Sequence, residues 1–173
     1  MKIGNGPLEF GVVGVSDNGE LSIPILKELA IQTLNIYPLG EILSVTDIEI
    51  VKGNKNDLGF LPNDMLGEIR AREIKSEKNL DVVGIIRKNI FSRASYNILY
   101  SQQNHKILAH ELGHILGLQH PSFSCSGPVC IRNIADRETC PYTGYIMGCE
   151  LDNEGEKDFS PENIEKLEKE YLK

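Results

Sequence analysis

The segment from His110 to His120 constrains the fold of this chain more than any other part of its sequence. Side chains four residues apart share one face of an α-helix, so His110 and His114 can direct their imidazoles at the same metal ion. Glu111 is rotated about 100° around that helix and can reach a water molecule at the metal without being a ligand. Gly117 can adopt the left-handed conformation that ends a helix and reverses the chain, which brings His120 back as a third ligand. Three protein ligands leave a fourth position open, as a catalytic zinc ion requires.

Each of these histidines, taken alone, has an ordinary alternative as a core or surface residue of a helix. The third histidine and the glycine at fixed spacing favour the metal site over that alternative. The apolar residues around them supply the buried faces that an active-site helix needs; they are Ile107, Leu108, Leu112, Ile115, Leu116 and Leu118.

The pattern H-E-x-x-H-x-x-G-x-x-H resembles the signature of the metzincin clan of zinc metallopeptidases. Tyr145-Ile146-Met147-Gly148, whose methionine is 27 residues after His120, looks like the Met-turn of that clan. The resemblance implies that Met147 packs beneath the metal and is not a ligand; the alternative is a generic core methionine. Some metzincins have a tyrosine ligand two residues after the methionine, and because Cys149 stands there, that role is not carried over.

The layout of the N-terminal half is similar to that of archaemetzincins, a family within this clan. The chain departs from their pattern, because Pro121 follows His120 where archaemetzincins have a cysteine, and no C-x-x-C pair is present. The cysteine-rich loop before the Met-turn also resembles that of adamalysins.

The resemblance implies hydrolysis of peptide bonds, with Glu111 as the base and an extended peptide paired with an edge strand of the sheet. The candidate strand runs from Ala94 to Tyr100 and includes Ser95, Tyr96 and Asn97; its alternative is a solvated edge without a ligand. Two other functions stay open. The chain could be a catalytically idle zinc protein that binds peptides or partners, or a zinc amidohydrolase that acts on a non-peptide substrate.

All four cysteines lie within one segment of 25 residues. This clustering favours two disulfides, with a second, structural zinc site as the alternative. Disulfides indicate an oxidising compartment, whereas the N-terminus has no apolar segment of signal-peptide length, which favours the cytoplasm. The residues concerned are Cys125, Cys130, Cys140 and Cys149.

Alternating apolar runs and helical spacings predict a single domain of the α/β (α+β) class over residues 1–173, with a mixed twisted sheet and packed helices. An upper subdomain of about 1–118 should contain the sheet and the zinc helix, and an irregular lower subdomain of about 119–173 should contain the Met-turn and a last helix. The predicted elements are strands at Phe10–Val15, Leu43–Ile50 with a bulge near Thr46-Asp47, Leu80–Ile86 and Ala94–Tyr100, and helices from Ser22, from Asn63 or Asp64, over about Gln102–Leu116 and from Ser160.

The formal net charge of −7 is spread along the chain, which argues against a nucleic-acid or anionic-membrane partner, because both require clustered Lys and Arg. No apolar run approaches the length of a membrane span. The resemblance implies instead that the partner is a peptide or protein substrate, and we expect a monomer.

Overall fold

The computed structural model describes residues 7–52, 63–88, 90, 92–119, 145–147 and 158–172. His120 and the four cysteines lie outside these ranges. The helices and strands follow the order that the sequence predicts for an α/β chain: β1 (Leu8–Ser16), α1 (Ile23–Asn35), β2 (Leu43–Lys52), α2 (Asn63–Glu77), β3 (Val82–Ile86), β4 (Arg93–Ser95), β5 (Ile98–Ser101), α3 (His105–Ile115) and α4 (Pro161–Tyr171). A 3-10 turn at Gly40–Ile42 precedes β2.

The five described strands form one sheet in the order β2-β1-β3-β5-β4. The first four are parallel, and β4 pairs antiparallel with β5 at the edge. Every residue of β3 is buried, and the strand pairs on both sides, which confirms the predicted central strand. Buried runs of this kind are typical of parallel strands that have helices on both faces.

Two hydrophobic clusters cover the faces of the sheet. The larger one joins the sheet to residues of α1, α3 and α4. The smaller one joins it to Ala71 and Ile74 of α2. The segment that contains His110 and His114 therefore belongs to the layer that α3 shares with α1 and α4. None of the described helices is both long and apolar enough to cross a membrane.

The predicted bulge in the second strand is confirmed. Phe10 pairs with Val45 and Gly11 pairs with Asp47, so Thr46 is the extra residue. The sequence signals it because the alternation of apolar residues slips by one at this point. Ser22 stands at the N-cap of α1 as predicted, but its side chain makes no capping hydrogen bond.

The prediction of one continuous strand from Ala94 to Tyr100 is wrong. Two short strands, β4 and β5, are joined there by a tight turn at Tyr96 and Asn97. Both residues have positive φ, 51° and 62°, as the two central residues of a type I′ hairpin turn require. Asparagine tolerates this conformation well, and Tyr96 leaves 88% of its surface exposed. Ala94 and Ser95 are therefore in the edge strand, whereas Tyr96 and Asn97 form the turn at its end.

Candidate active site

The helix that carries the candidate site, α3, begins at His105, where Asn104 caps it. The Asn104 Oδ1 atom accepts hydrogen bonds from the backbone N–H groups of Lys106 and Ile107 at 2.9 and 3.2 Å. This cap places the start of the helix a few residues later than predicted, because an asparagine side chain satisfies N–H groups that have no partner in the first turn. Two polar residues in the middle of the helix, His110 and Glu111, are nonetheless only 4% and 6% exposed.

The imidazoles of His110 and His114 meet on one face of α3. Their Nε2 atoms lie 3.1 Å apart. The two rings are nearly perpendicular, with centroids 4.8 Å apart. The spacing of four residues therefore produces the convergence that a shared ligand would need.

A backbone carbonyl accepts a hydrogen bond from the other ring nitrogen of each histidine. The Nδ1 atom of His110 lies 2.5 Å from the oxygen of Ile146, and that of His114 lies 3.2 Å from the oxygen of Leu118. Because a carbonyl only accepts, these contacts assign the proton to Nδ1 in both rings and leave a lone pair on each Nε2.

The histidine pair therefore fits a zinc ion. Metal-binding histidines commonly donate their second N–H to a backbone carbonyl, as both rings do here. Tetrahedral zinc with ordinary Zn–N bonds separates two nitrogen ligands by about 3.3 Å, close to the 3.1 Å between the Nε2 atoms of His110 and His114. Within the described part of the chain, no group of three His, Cys, Asp or Glu side chains could hold a metal; His120, the third ligand that the sequence predicts, is outside that part.

Gly117 follows the end of α3 in the left-handed conformation, with φ of 86°. Its N–H donates to the oxygen of His114 at 3.1 Å, and the N–H of Leu118 donates to the oxygen of Gly113 at 2.8 Å. These two bonds form a Schellman motif. The turn that glycine permits is thus the same turn that brings the Leu118 carbonyl to the His114 ring.

Met147 is buried beneath α3, with 1% of its surface exposed. A Cβ atom on Gly113 would lie 2.8 Å from the Met147 sulfur, so the methionine packs directly against the helix between the two histidines. The neighbouring residue, Ile146, donates its N–H to the oxygen of Asp158 at 3.1 Å while its own oxygen faces His110. The segment 145–147 thus contributes both a packing side chain and a backbone acceptor.

Glu111 is buried in the same helix, and burial raises the pKa of its carboxyl group to about 7. A carboxyl group with such a pKa gains and loses its proton near neutral pH. This is the range in which a general base works well.

Tyr37 holds α3 from the side of α1. Its buried hydroxyl donates a hydrogen bond to the oxygen of Ala109, next to His110. Its ring packs against that of Phe159, with centroids 4.7 Å apart. Burial raises the pKa of Tyr37 well above its ordinary value, so the hydroxyl keeps the proton that it donates.

Comparison with known proteins identifies the fold. No protein-family model matches the sequence. Over 98% of both chains, the structure is similar to the archaemetzincin of Methanopyrus kandleri, with a TM-score of 0.55 and 16% sequence identity. It is also similar to metalloproteinase-II of Bacteroides fragilis, with a TM-score of 0.51 and 13% identity over 100% of this chain and 55% of that one. The chain has an archaemetzincin-like fold. A zinc-dependent peptidase of Methanocorpusculum labreanum is 14% identical over 91% of this chain and 99% of that one, with a TM-score of 0.48.

The sequence pattern does not indicate three of the residues that contribute to this candidate site. Leu118 and Ile146 act through backbone carbonyls, which carry no signal in the identity of the side chain. Gly113 occupies a position at which the histidine pattern accepts any residue, yet it lies within contact distance of Met147. A glycine inside a helix is unfavourable by about 1 kcal/mol relative to alanine, and that penalty is the signal that could have identified Gly113.

Proposed function

We propose that this chain is a zinc-dependent peptidase in which His110, His114 and His120 hold the metal and Glu111 is the general base. The observation that carries the proposal is the pair of Nε2 atoms 3.1 Å apart, each on a ring whose Nδ1 is directed at a backbone carbonyl. Two rings protonated on Nδ1 cannot donate to each other through Nε2, whereas a cation between them binds both lone pairs. The similarity of fold to an archaemetzincin and a metalloproteinase supports the same class.

The proposed reaction divides the chemistry between the metal and the chain. Zinc in such a site supplies Lewis acidity, which makes a water molecule more acidic and polarises a carbonyl group. The carboxylate of Glu111 would take a proton from that water and transfer it to the nitrogen of the leaving amine. The pKa of about 7 that burial gives Glu111 suits both transfers near neutral pH.

We assign the third ligand to His120 from its spacing, three residues after the turn at Gly117. Met147 is proposed as the methionine of the Met-turn, and its contact with Gly113 supports a packing role. The four cysteines form disulfides or hold a second zinc ion. One zinc and no free thiols would establish disulfides, and two zinc ions would establish a structural site.

We propose that the substrate is a peptide or protein segment that lies extended along β4, and that the protein works as a monomer. β4 is the last strand of the described sheet, so its outer edge pairs with no other described strand. An extended peptide can add to such an edge through main-chain hydrogen bonds. β4 also contacts α3, the helix that carries His110 and His114, which supports this proposal. The backbone of Ala94 and Ser95 would make these bonds, and Tyr96 and Asn97 would flank one end of the peptide.

The experiment compares the wild-type protein with Glu111→Gln in zinc analysis and in cleavage of a mixed peptide library. We expect one catalytic zinc in both proteins and a loss of cleavage of about 100-fold or more in the variant, because Gln cannot accept the proton. Glu165→Gln is the matched control, since Glu165 is exposed on α4. Equal cleavage by the Glu111→Gln variant would remove the role of Glu111.

The same experiment separates the alternative functions. A wild-type protein that binds zinc but cleaves no peptide would favour the idle binding protein or a non-peptide amidohydrolase. Replacing His110 or His114 with asparagine should lower the zinc content by one ion per chain in all of these cases. Retention of the full wild-type zinc content by both histidine variants would refute the metal site itself.

A further inference from the structure

We propose that the C-terminal helix α4 positions the metal-binding histidines, with Lys166 and Tyr171 as positioning residues. The inference rests on the proposed function for its biological meaning, but it concerns contacts that exist without the metal. Lys166 donates from Nζ to the oxygen of Gly117 at 2.5 Å, and Tyr171 donates from its hydroxyl to the oxygen of Leu116 at 3.2 Å. Both acceptors belong to the turn that ends α3.

The carbonyl of Leu116 is among those that a helix end leaves without intrahelical partners, and the carbonyl of Gly117 lies in the turn just beyond it. The last carbonyl groups of an α-helix need donors from elsewhere. The Schellman bonds satisfy the carbonyls of Gly113 and His114, and the two side chains of α4 bind the carbonyls of Leu116 and Gly117. A lysine at this position also interacts favourably with the negative end of the helix dipole. The end of α3 is therefore completed by α4.

The contact of Lys166 reaches His114 through one peptide unit. The oxygen of Gly117 and the N–H of Leu118 belong to the same planar peptide group. Lys166 binds the oxygen of this group, and the N–H of Leu118 is bound 2.8 Å from the oxygen of Gly113. With its peptide plane held at both ends, Leu118 has two backbone torsions left to set the direction of its own carbonyl, which faces Nδ1 of His114 at 3.2 Å.

The orientation of the His110 ring depends on the residues just before α4. The oxygen of Ile146 faces Nδ1 of His110, and the N–H of Ile146 is bound to the oxygen of Asp158 at 3.1 Å. Asp158 lies two residues before Ser160, whose side chain caps α4. The acceptors that orient both histidine rings are thus anchored to a single C-terminal element, which is far from the histidines in the sequence.

The test measures histidine orientation and zinc affinity separately. In the zinc-free wild-type protein, long-range ¹H–¹⁵N correlation spectra in mild alkali should show the His114 ring protonated on Nδ1. The double variant Lys166→Met, Tyr171→Phe should show a mixture of both tautomers, and its zinc dissociation constant, measured by chelator competition, should rise about tenfold. Lys169→Met, an exposed change on the same helix, should match the wild-type protein, and Lys166→Arg should restore it.

The outcomes for this inference and for the proposed function are distinct. A double variant that keeps the Nδ1 tautomer and the wild-type zinc affinity overturns the positioning role, even if its thermal stability falls. If the wild-type protein binds no zinc, the proposed function fails, while the tautomer spectra still decide whether α4 orients His114. If the double variant does not fold, the two single variants are measured instead, and each should raise the dissociation constant about threefold.

Discussion

Replacing Gly117 with alanine should destabilise the protein and weaken zinc binding at the same time. Gly117 has a φ of 86°, and a Cβ atom added to it would have no neighbour within 4 Å. The whole effect on stability is therefore backbone strain, which amounts to about 1–2 kcal/mol for a residue with a side chain in the left-handed region. Urea unfolding of the zinc-free protein would measure this loss. Relaxation of the strain would also turn the Leu118 carbonyl away from His114, and zinc affinity should fall about tenfold.

Gly19 provides the matched control for this substitution. Its φ is 75°, and an added Cβ would again meet nothing within 4 Å, but it lies in the loop between β1 and α1. Gly19→Ala should lower the unfolding free energy by a similar amount and leave the zinc dissociation constant unchanged. Two results would refute the reasoning: a Gly117→Ala protein as stable as the wild type, or an equal loss of zinc affinity in both variants.

Two further substitutions test packing and electrostatics. Gly113→Ala should destabilise the protein by about 1 kcal/mol, because its Cβ would lie 2.8 Å from the buried Met147 sulfur. In a Met147→Ala background the same substitution should stabilise the protein, since only the better helix propensity of alanine remains. A double-mutant cycle by urea unfolding measures both changes in unfolding free energy. Hydrogen bonds from Arg70 hold the pKa of Glu49 below its ordinary value of 4.5. The contribution of this ion pair to the unfolding free energy is therefore present above that pH and is lost in acid. Glu49→Gln should therefore lower the unfolding free energy by about 0.5–1 kcal/mol near neutral pH and have no effect in strong acid, and equal losses at both would contradict this assignment.

The order of the elements could be predicted because most of them carry strong local signals. Phe10–Val15 within β1 and the whole of β3 are unbroken apolar runs, and both are buried in the sheet. The bulge at Thr46 was visible as a slip in alternation, and the start of α4 was visible as Ser160 followed by proline. In these places the local preference of the chain and its burial favour the same structure.

The hairpin at Tyr96 and Asn97 could not be predicted for a physical reason. Tight hairpin turns are usually signalled by glycine, which adopts positive φ without strain. Here two residues with side chains adopt it, with φ of 51° and 62°, and tertiary pairing of β5 with β3 overrides the local preference. The same pattern of mixed polar and apolar residues is compatible with one longer strand, which is why the sequence predicts one strand where the structure has two.

The proposed metal centre shows how much of a site a sequence pattern can specify. The spacing of His110 and His114 places two rings on one helical face, but it does not determine which nitrogen of each ring carries the proton. That choice is made by the carbonyls of Leu118 and Ile146, and the second of these is 36 residues from its histidine. Zinc binds neutral imidazole through a lone pair, so a ring with the opposite tautomer would present an N–H to the metal. A chain that kept the histidines but lost the turn at Gly117 would have the pattern without the paired lone pairs, and its zinc affinity should be correspondingly weaker.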